Sequence, residues 1–139
     1  MIRLPESAND LEILAIVYAW AEALSQEDYA LVYEMTYHPA DDHIDKNLIR
    51  QLIENYGSIE PMGDGSKFKV TALDSAVGDL KPRHEVTRYD QSDEPNSLII
   101  GDIWFDLPLN GAWSDLTALF DIVLLEGTLV LQLHDIHVM

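Results

Sequence analysis

Apolar residues run almost unbroken from Leu11 to Leu24, interrupted only by Glu12 and Glu22. Ser7, Asn9 and Asp10 precede them with side chains that cap free helix N–H groups, so a helix is predicted from about Asp10 to Leu24. A helix apolar on nearly every side is expected to lie between a sheet and other helices. Ser25-Gln26-Glu27-Asp28 offers a second cap, for a short helix through Tyr29, Val32, Tyr33 and Met35. It should end at His38-Pro39, because a residue before proline avoids the helical region. Asp41 and Asp42 are expected to cap a third helix. Along it Ile44, Leu48, Ile49, Leu52, Ile53 and Tyr56 recur at helical spacing, and Gly57 supplies the stop.

Ser58–Ser66 holds Pro61, Gly63, Asp64 and Gly65 and reads as a loop between two halves of different pattern. Beyond it, Phe68–Val77 and Arg83–Tyr89 are predicted as strands and Asp90–Ser97 as a polar turn. From Ser97 to Met139 the pattern is that of an antiparallel meander, with strands Leu98–Asp106, Trp113–Leu125 and Thr128–Val138. Its turns contain Asn110-Gly111 and Glu126-Gly127, and tight hairpin turns need residues that tolerate positive φ. Helices segregated from consecutive strands imply an α+β fold with the helices packed on one face of a bent antiparallel sheet. The chain then forms a single domain over 1–139, helical over about 8–57 and sheet over about 67–138.

If each turn is a two-residue loop, Asp102 lies opposite Leu119, Trp104 opposite Thr117, Leu119 opposite His134 and Asp121 opposite Gln132. Alternation then gives one apolar face: Ile99, Ile103, Phe105, Ala118, Phe120, Ile122, Leu124, Leu129, Leu131 and Leu133. Asp135 and His137 interrupt that face at its far end. The opposite face mixes Asp102, Trp104, Asp106, Asp121 and His134 with Leu119, Val123, Val130 and Ile136. So mixed a face is expected to be partly covered, most simply by a second copy of the chain.

Composition narrows the function classes. The 139 residues are 47% hydrophobic and 24% charged, which suits one globular core, and there is no cysteine for disulfides or thiolate chemistry. Twenty-five acidic side chains face eight basic ones, a net charge of −17, and no Lys or Arg follows Arg88 while nine acidic residues do. Such a chain repels nucleic acid and anionic lipid. It suits a basic protein partner, although solubility alone accounts for the charge. The N-terminal residues lack a signal-peptide pattern and the longest apolar run, Ile13–Ala21, is too short to span a bilayer, so a soluble cytoplasmic protein is expected.

The order of helices followed by strands, with the long apolar first helix and long terminal strands, resembles the nuclear transport factor 2-like (cystatin-like α+β cone) superfamily. The segments 106–117 (DLPLNGAWSDLT) and 133–138 (LHDIHV) resemble a family of uncharacterised bacterial proteins, which implies no activity. The superfamily resemblance implies a cone with a pocket between sheet and helices, and dimerisation through the sheet. Enzymes of that superfamily, such as ketosteroid isomerases and dehydratases, carry Asp, His and Tyr in the pocket. No catalytic motif of theirs aligns with this sequence, and a fold does not specify a function.

Asp135 and His137, two apart on a strand, share a face, and a desolvated carboxylate beside an imidazole suits proton transfer. Tyr18 on the first helix adds a hydroxyl donor. The structural alternative is that Asp135 bonds nearby groups and His137 is solvated. His134 should reach Asp121 diagonally, as an interface ion pair or half of a metal site. His38, Asp41, Asp42 and His43 cluster before the third helix, without calcium-loop spacing. His84-Glu85 lies on a strand, its two side chains facing apart. No metal or cofactor is expected, for there is no phosphate loop, no Gly-x-Ser-x-Gly and no His-Glu-x-x-His. The leading expectation is a non-catalytic module, homodimeric, that holds a small apolar or mixed ligand. Trp20, Phe105 and Phe120 would line its pocket, and Trp104, Asp121 and His134 its interface. The alternatives are an acid–base enzyme (isomerase, dehydratase or hydrolase) built on Asp135, His137 and Tyr18, or an acidic, immunity-type partner of a basic protein.

Overall fold

In the computed structural model, which describes residues 1–90 and 98–139, three helices accompany a five-stranded antiparallel sheet curled strongly into a half-barrel. The fold is α+β. Helix α1 (Asp10–Ser25) begins with a capping box. Asn9 Oδ1 accepts from Glu12 N at 2.8 Å, and Glu12 Oε1 accepts from Asn9 N at 3.3 Å. Helix α2 (Tyr29–Glu34) is capped by Asp28 as expected. The cap of α3 (Lys46–Glu54) is Asp45, whose carboxylate accepts from Leu48 N at 2.8 Å, and not Asp41 or Asp42. Asp42 instead ties the preceding loop, accepting from Ile44 N and from His38.

The strands are β1 (Leu4–Pro5), β2 (His84–Arg88), β3 (Ile99–Leu109), β4 (Ala112–Leu125) and β5 (Thr128–Val138), in the sheet order β1-β5-β4-β3-β2. Both hairpin turns are two-residue loops with positive φ: 52° and 88° at Asn110 and Gly111, 52° and 78° at Glu126 and Gly127. No strand spans Phe68–Val77. Only single bridges, Val70 to Leu109 and Val77 to Ala112, flank a 3-10 turn at Leu73–Ser75. The expected polar turn at Asp90–Ser97 lies, after Asp90, outside the described residues.

Three bulges reset the expected register. At the start of β3, Ile99 pairs with Val123 but Gly101 with Ile122, so Ile100 is a single extra residue; Ile100 is buried in the core and Ile99 is exposed, contrary to the expected face. Between the Asp106–Thr117 and Pro108–Trp113 pairs, residues 114–116 of β4 oppose Leu107 alone. Pro108 has no N–H to give the ladder. Ser114 fills in, its hydroxyl donating to Leu107 O at 2.6 Å and accepting from Leu116 N at 3.1 Å. Two extra residues leave the faces unchanged but slide the pairing, so Asp102 opposes Asp121 and Trp104 opposes Leu119. In β5, Phe120 pairs with Leu133 but Leu119 with Asp135, leaving His134 as a single extra residue. An odd insertion exchanges faces. Ile136 therefore enters the core, fully buried, and Asp135 and His137 turn to the outer face, contrary to the expected assignment. The sequence favours this register because it buries an isoleucine where regular pairing would desolvate a carboxylate and an imidazole.

The core lies between α1 and the inner sheet face. Ile13, Ile16, Val17, Trp20 and Leu24 of α1 meet Ile103, Phe105, Phe120, Ile122 and Leu131, with Trp20 edge-on to Phe120 at 4.9 Å. The far side of α1 is open, against expectation: Leu11 is 78% exposed, and Ala15 and Ala19 are exposed with it. Alanines account for much of the apparent all-round apolarity, and alanine serves helix formation without needing burial.

Candidate functional site

Tyr18, 43% exposed, stands where α1 passes the edge strand β2. Arg88 at the other end of β2 fastens the strand to α1, donating to Asp10 Oδ1 at 3.0 Å and to Ala8 O at 2.9 Å. This clamp brings His84 under Tyr18. The Tyr18 hydroxyl lies 3.1 Å from His84 Nδ1, and His84 Nε2 lies 3.2 Å from the Asp106 carbonyl oxygen. A carbonyl can only accept, so Nε2 carries the proton and Nδ1 accepts from Tyr18. Burial pushes the His84 pKa down, opposed by its bond to the Asp106 carbonyl and by the Asp106 charge. The ring is stacked on Phe105 at 3.9 Å and meets Trp113 edge-on at 5.5 Å. The phenol is thus held by a neutral imidazole, and its oxygen lone pairs remain as acceptors.

Beside this pair a groove of about 250 Å³ runs between α1 and the Ala72–Asp74 segment, lined by Tyr18, Glu22, Ser25, Leu73 and Asp74 among others. No lining residue is Lys or Arg. The groove therefore offers two carboxylates, hydroxyls, the Gln26 amide and a small apolar patch, so its only charges are negative and complement a ligand with positive charge.

Asp135 and His137 belong elsewhere. Asp135 Oδ2 and His137 Nδ1 are 2.7 Å apart on the outer face, and Asp135 Oδ1 accepts from Ile136 N at 2.8 Å. Tyr18 packs against Phe105 on the inner side, so the sheet separates it from the pair with which the acid–base expectation grouped it. Trp20, Phe105 and Phe120 are fully buried packing residues, and none of them lines the groove beside Tyr18. His134 and Asp121 do meet, at 3.5 Å. Among the described residues no three His, Asp or Glu side chains are grouped to hold a metal ion. His38 is locked by Asp42 at 2.7 Å, by the Tyr33 carbonyl at 2.6 Å and by stacking on the Tyr33 ring.

Two features escape a reading of the sequence. His84 is one; its alternation with Val86, which packs on the core, is the available signal for its inward face. The other is the buried Asp106, which accepts from Arg83 Nε and Nη2 at 3.1 and 3.0 Å, Arg83 N at 2.8 Å and Thr117 Oγ1 at 2.6 Å. Burial alone would raise its pKa, but these bonds prevail and hold it below the usual carboxylate range. On the same face Tyr89 donates to Asp102 Oδ2 at 2.7 Å, which with burial pushes the phenol up to about 12. No helix is long and apolar enough to cross a membrane. No family model, curated protein or solved structure matches the chain.

Proposed function

We propose that this chain is a non-catalytic binding module on a nuclear transport factor 2-like cone, and that its groove takes a small molecule joining a protonated amine to a short apolar body. The curled sheet with accompanying helices is compatible with that superfamily. Trp20, Phe105 and Phe120 fill the interior where the resemblance implies a pocket, so the reading rests on the surface groove beside Tyr18. The observation that carries it is the charge of the lining: the carboxylates of Glu22 and Asp74 and a tyrosine whose own proton is engaged by His84, with no Lys or Arg among the lining residues. A cationic donor satisfies those groups, whereas an anion or a purely apolar molecule leaves them unpaired.

Thermal denaturation with phenethylamine tests this, against phenethyl alcohol and hydrocinnamate of similar shape. A ligand at a hundred times its Kd stabilises by about 2.7 kcal/mol, several degrees of Tm. The amine alone should raise Tm, and the combined Glu22→Gln and Asp74→Asn substitutions should abolish the shift. Equal shifts from all three compounds, or none from the amine at millimolar concentration, would overturn the proposal.

A further inference from the structure

The outer sheet face is separate from the groove and carries an arrangement that a solvated surface does not require. Across four strands the register places Glu85, Trp104, Leu119 and Asp135 side by side. In the adjoining row Thr87, Asp102, Asp121 and Gln132 follow the same order. Trp104 and Leu119 are half-buried neighbours at the centre, and four carboxylates surround them. Asp102 and Asp121 are direct cross-strand partners, a pairing of like charges that works against the sheet. Arg83, its guanidinium 5.5 Å from the Trp104 ring, is committed to Asp106, while two histidines adjoin the carboxylates, His134 at 3.5 Å from Asp121 and His137 at 2.7 Å from Asp135.

We propose that this face docks a basic protein segment, with an apolar side chain seated on Trp104 and Leu119 and Lys or Arg side chains reaching the carboxylates around them. Charge complementarity selects this occupant. A second copy meeting the face about a two-fold axis would set Glu85, Asp102, Asp121 and Asp135 against a face of the same sign. A cationic segment instead places opposite charge beside the Asp102–Asp121 pair, which offsets both their mutual repulsion and the cost that burial sets on charge at Asp121. The spacing suits an extended segment. Glu85 and Asp135 are three strand intervals apart, roughly 14 Å, and alternate side chains of a five-residue strand span about 13 Å. The pattern wanted is a cation, an apolar residue and a second cation at every other position.

The pentapeptide acetyl-Lys-Ser-Leu-Ser-Lys-amide is the probe, titrated into the isotope-labelled full chain and followed by amide chemical shifts. Shifts should concentrate at residues 102, 104, 119 and 121 and weaken as salt is raised. The double substitution Asp102→Asn and Asp121→Asn should weaken binding about tenfold while raising Tm, a combination that a purely structural role for the pair does not produce. The control pair Glu6→Gln and Glu60→Gln removes the same charge from exposed positions off this face and should leave binding within about twofold. Three results would overturn the proposal: shifts spread evenly over acidic surface, equal weakening in the control pair, or self-association of the free chain through these same amides, which would make a second copy the occupant.

Discussion

Asp121→Asn isolates the like-charge pair at the centre of the sheet. The wild-type carboxylate is 19% exposed and directly opposite Asp102, and among the described residues His134, at 3.5 Å, is the group that pairs with it. That histidine is 64% exposed, so the ion pair contributes little, between zero and about 1 kcal/mol. Like charges directly opposite in an antiparallel pair are unfavourable by about 0.2–1 kcal/mol, and burial adds to this. The substitution keeps the shape and removes both penalties, so at neutral pH it should stabilise by about 0.5–1 kcal/mol, or about 2–4 °C in Tm. Burial is the largest cause of the raised Asp121 pKa, with His134 opposing it and Asp102 adding to it. A carboxyl whose folded pKa lies above its unfolded value contributes full stability below the unfolded pKa and loses it as pH rises through the folded one. The advantage of Asn should therefore shrink as pH falls through the usual carboxylate range, below which wild-type Asp121 is protonated in both states. Urea denaturation of both proteins across that range measures it. A variant less stable than wild type at neutral pH, or a gain that persists unchanged in acid, would refute the reasoning.

Asp106→Asn should behave in the opposite sense, losing about 2 kcal/mol at neutral pH because the Arg83 guanidinium and the Thr117 hydroxyl lose their charged acceptor. Since the folded Asp106 pKa is depressed, that contribution is present above the unfolded pKa and lost as pH falls through the folded value, so urea midpoints of variant and wild type should converge in acid. Gly101→Ala should destabilise by about 1–3 kcal/mol in the same assay, because an added Cβ would collide with the Thr87 carbonyl oxygen of β2, a backbone atom fixed by its own ladder. Deletion of His134 should change stability by only about 1 kcal/mol, since it removes the extra residue and leaves Leu133 and Ile136 facing the core. Deletion of Gln132 turns Leu133 outward and His134 inward, and should remove at least about 2 kcal/mol by urea denaturation.

The elements legible in the sequence are those whose signal is local. Asn9 and Glu12 mark the start of α1 because their side chains bond the first free N–H groups, and both glycine-bearing turns close hairpins because φ is positive there. The stop of α3 is equally local: Tyr56 and Gly57 have φ of 54° and 84°, and Gly57 sits against Leu116 and Val138 at the sheet's end. The segment 68–77 misleads because Phe68 and Val70 are apolar for reasons of packing, while only isolated bridges join its backbone to the sheet. Three aspartates before α3 compete to cap it, and composition does not choose among them. Asp45 wins because its carboxylate reaches Leu48 N, three residues on.

The candidate site depends on parity, which composition does not display. The β4 bulge adds two residues, so Trp104, Asp102 and Asp121 keep their expected face and only the partners slide. The β5 bulge adds one, so Asp135 and His137 change sides and the grouping with Tyr18 dissolves. The energetic signal lies in Ile136, which a regular strand would expose while desolvating the polar residues on either side. An alternation that breaks by one residue, with an isoleucine between an aspartate and a histidine, therefore reads more economically as a bulge at His134 than as chemistry in the core. The same parity joins the Trp104–Leu119 row to the Asp102–Asp121 row on one continuous face. Tyr18 acquires its partner differently: His84 is sixty-six positions away, brought there by the Arg88 clamp between β2 and the start of α1. Where a site is made by a clamp between distant elements, single-residue patterns identify the residue types, and only the packing decides which of them meet.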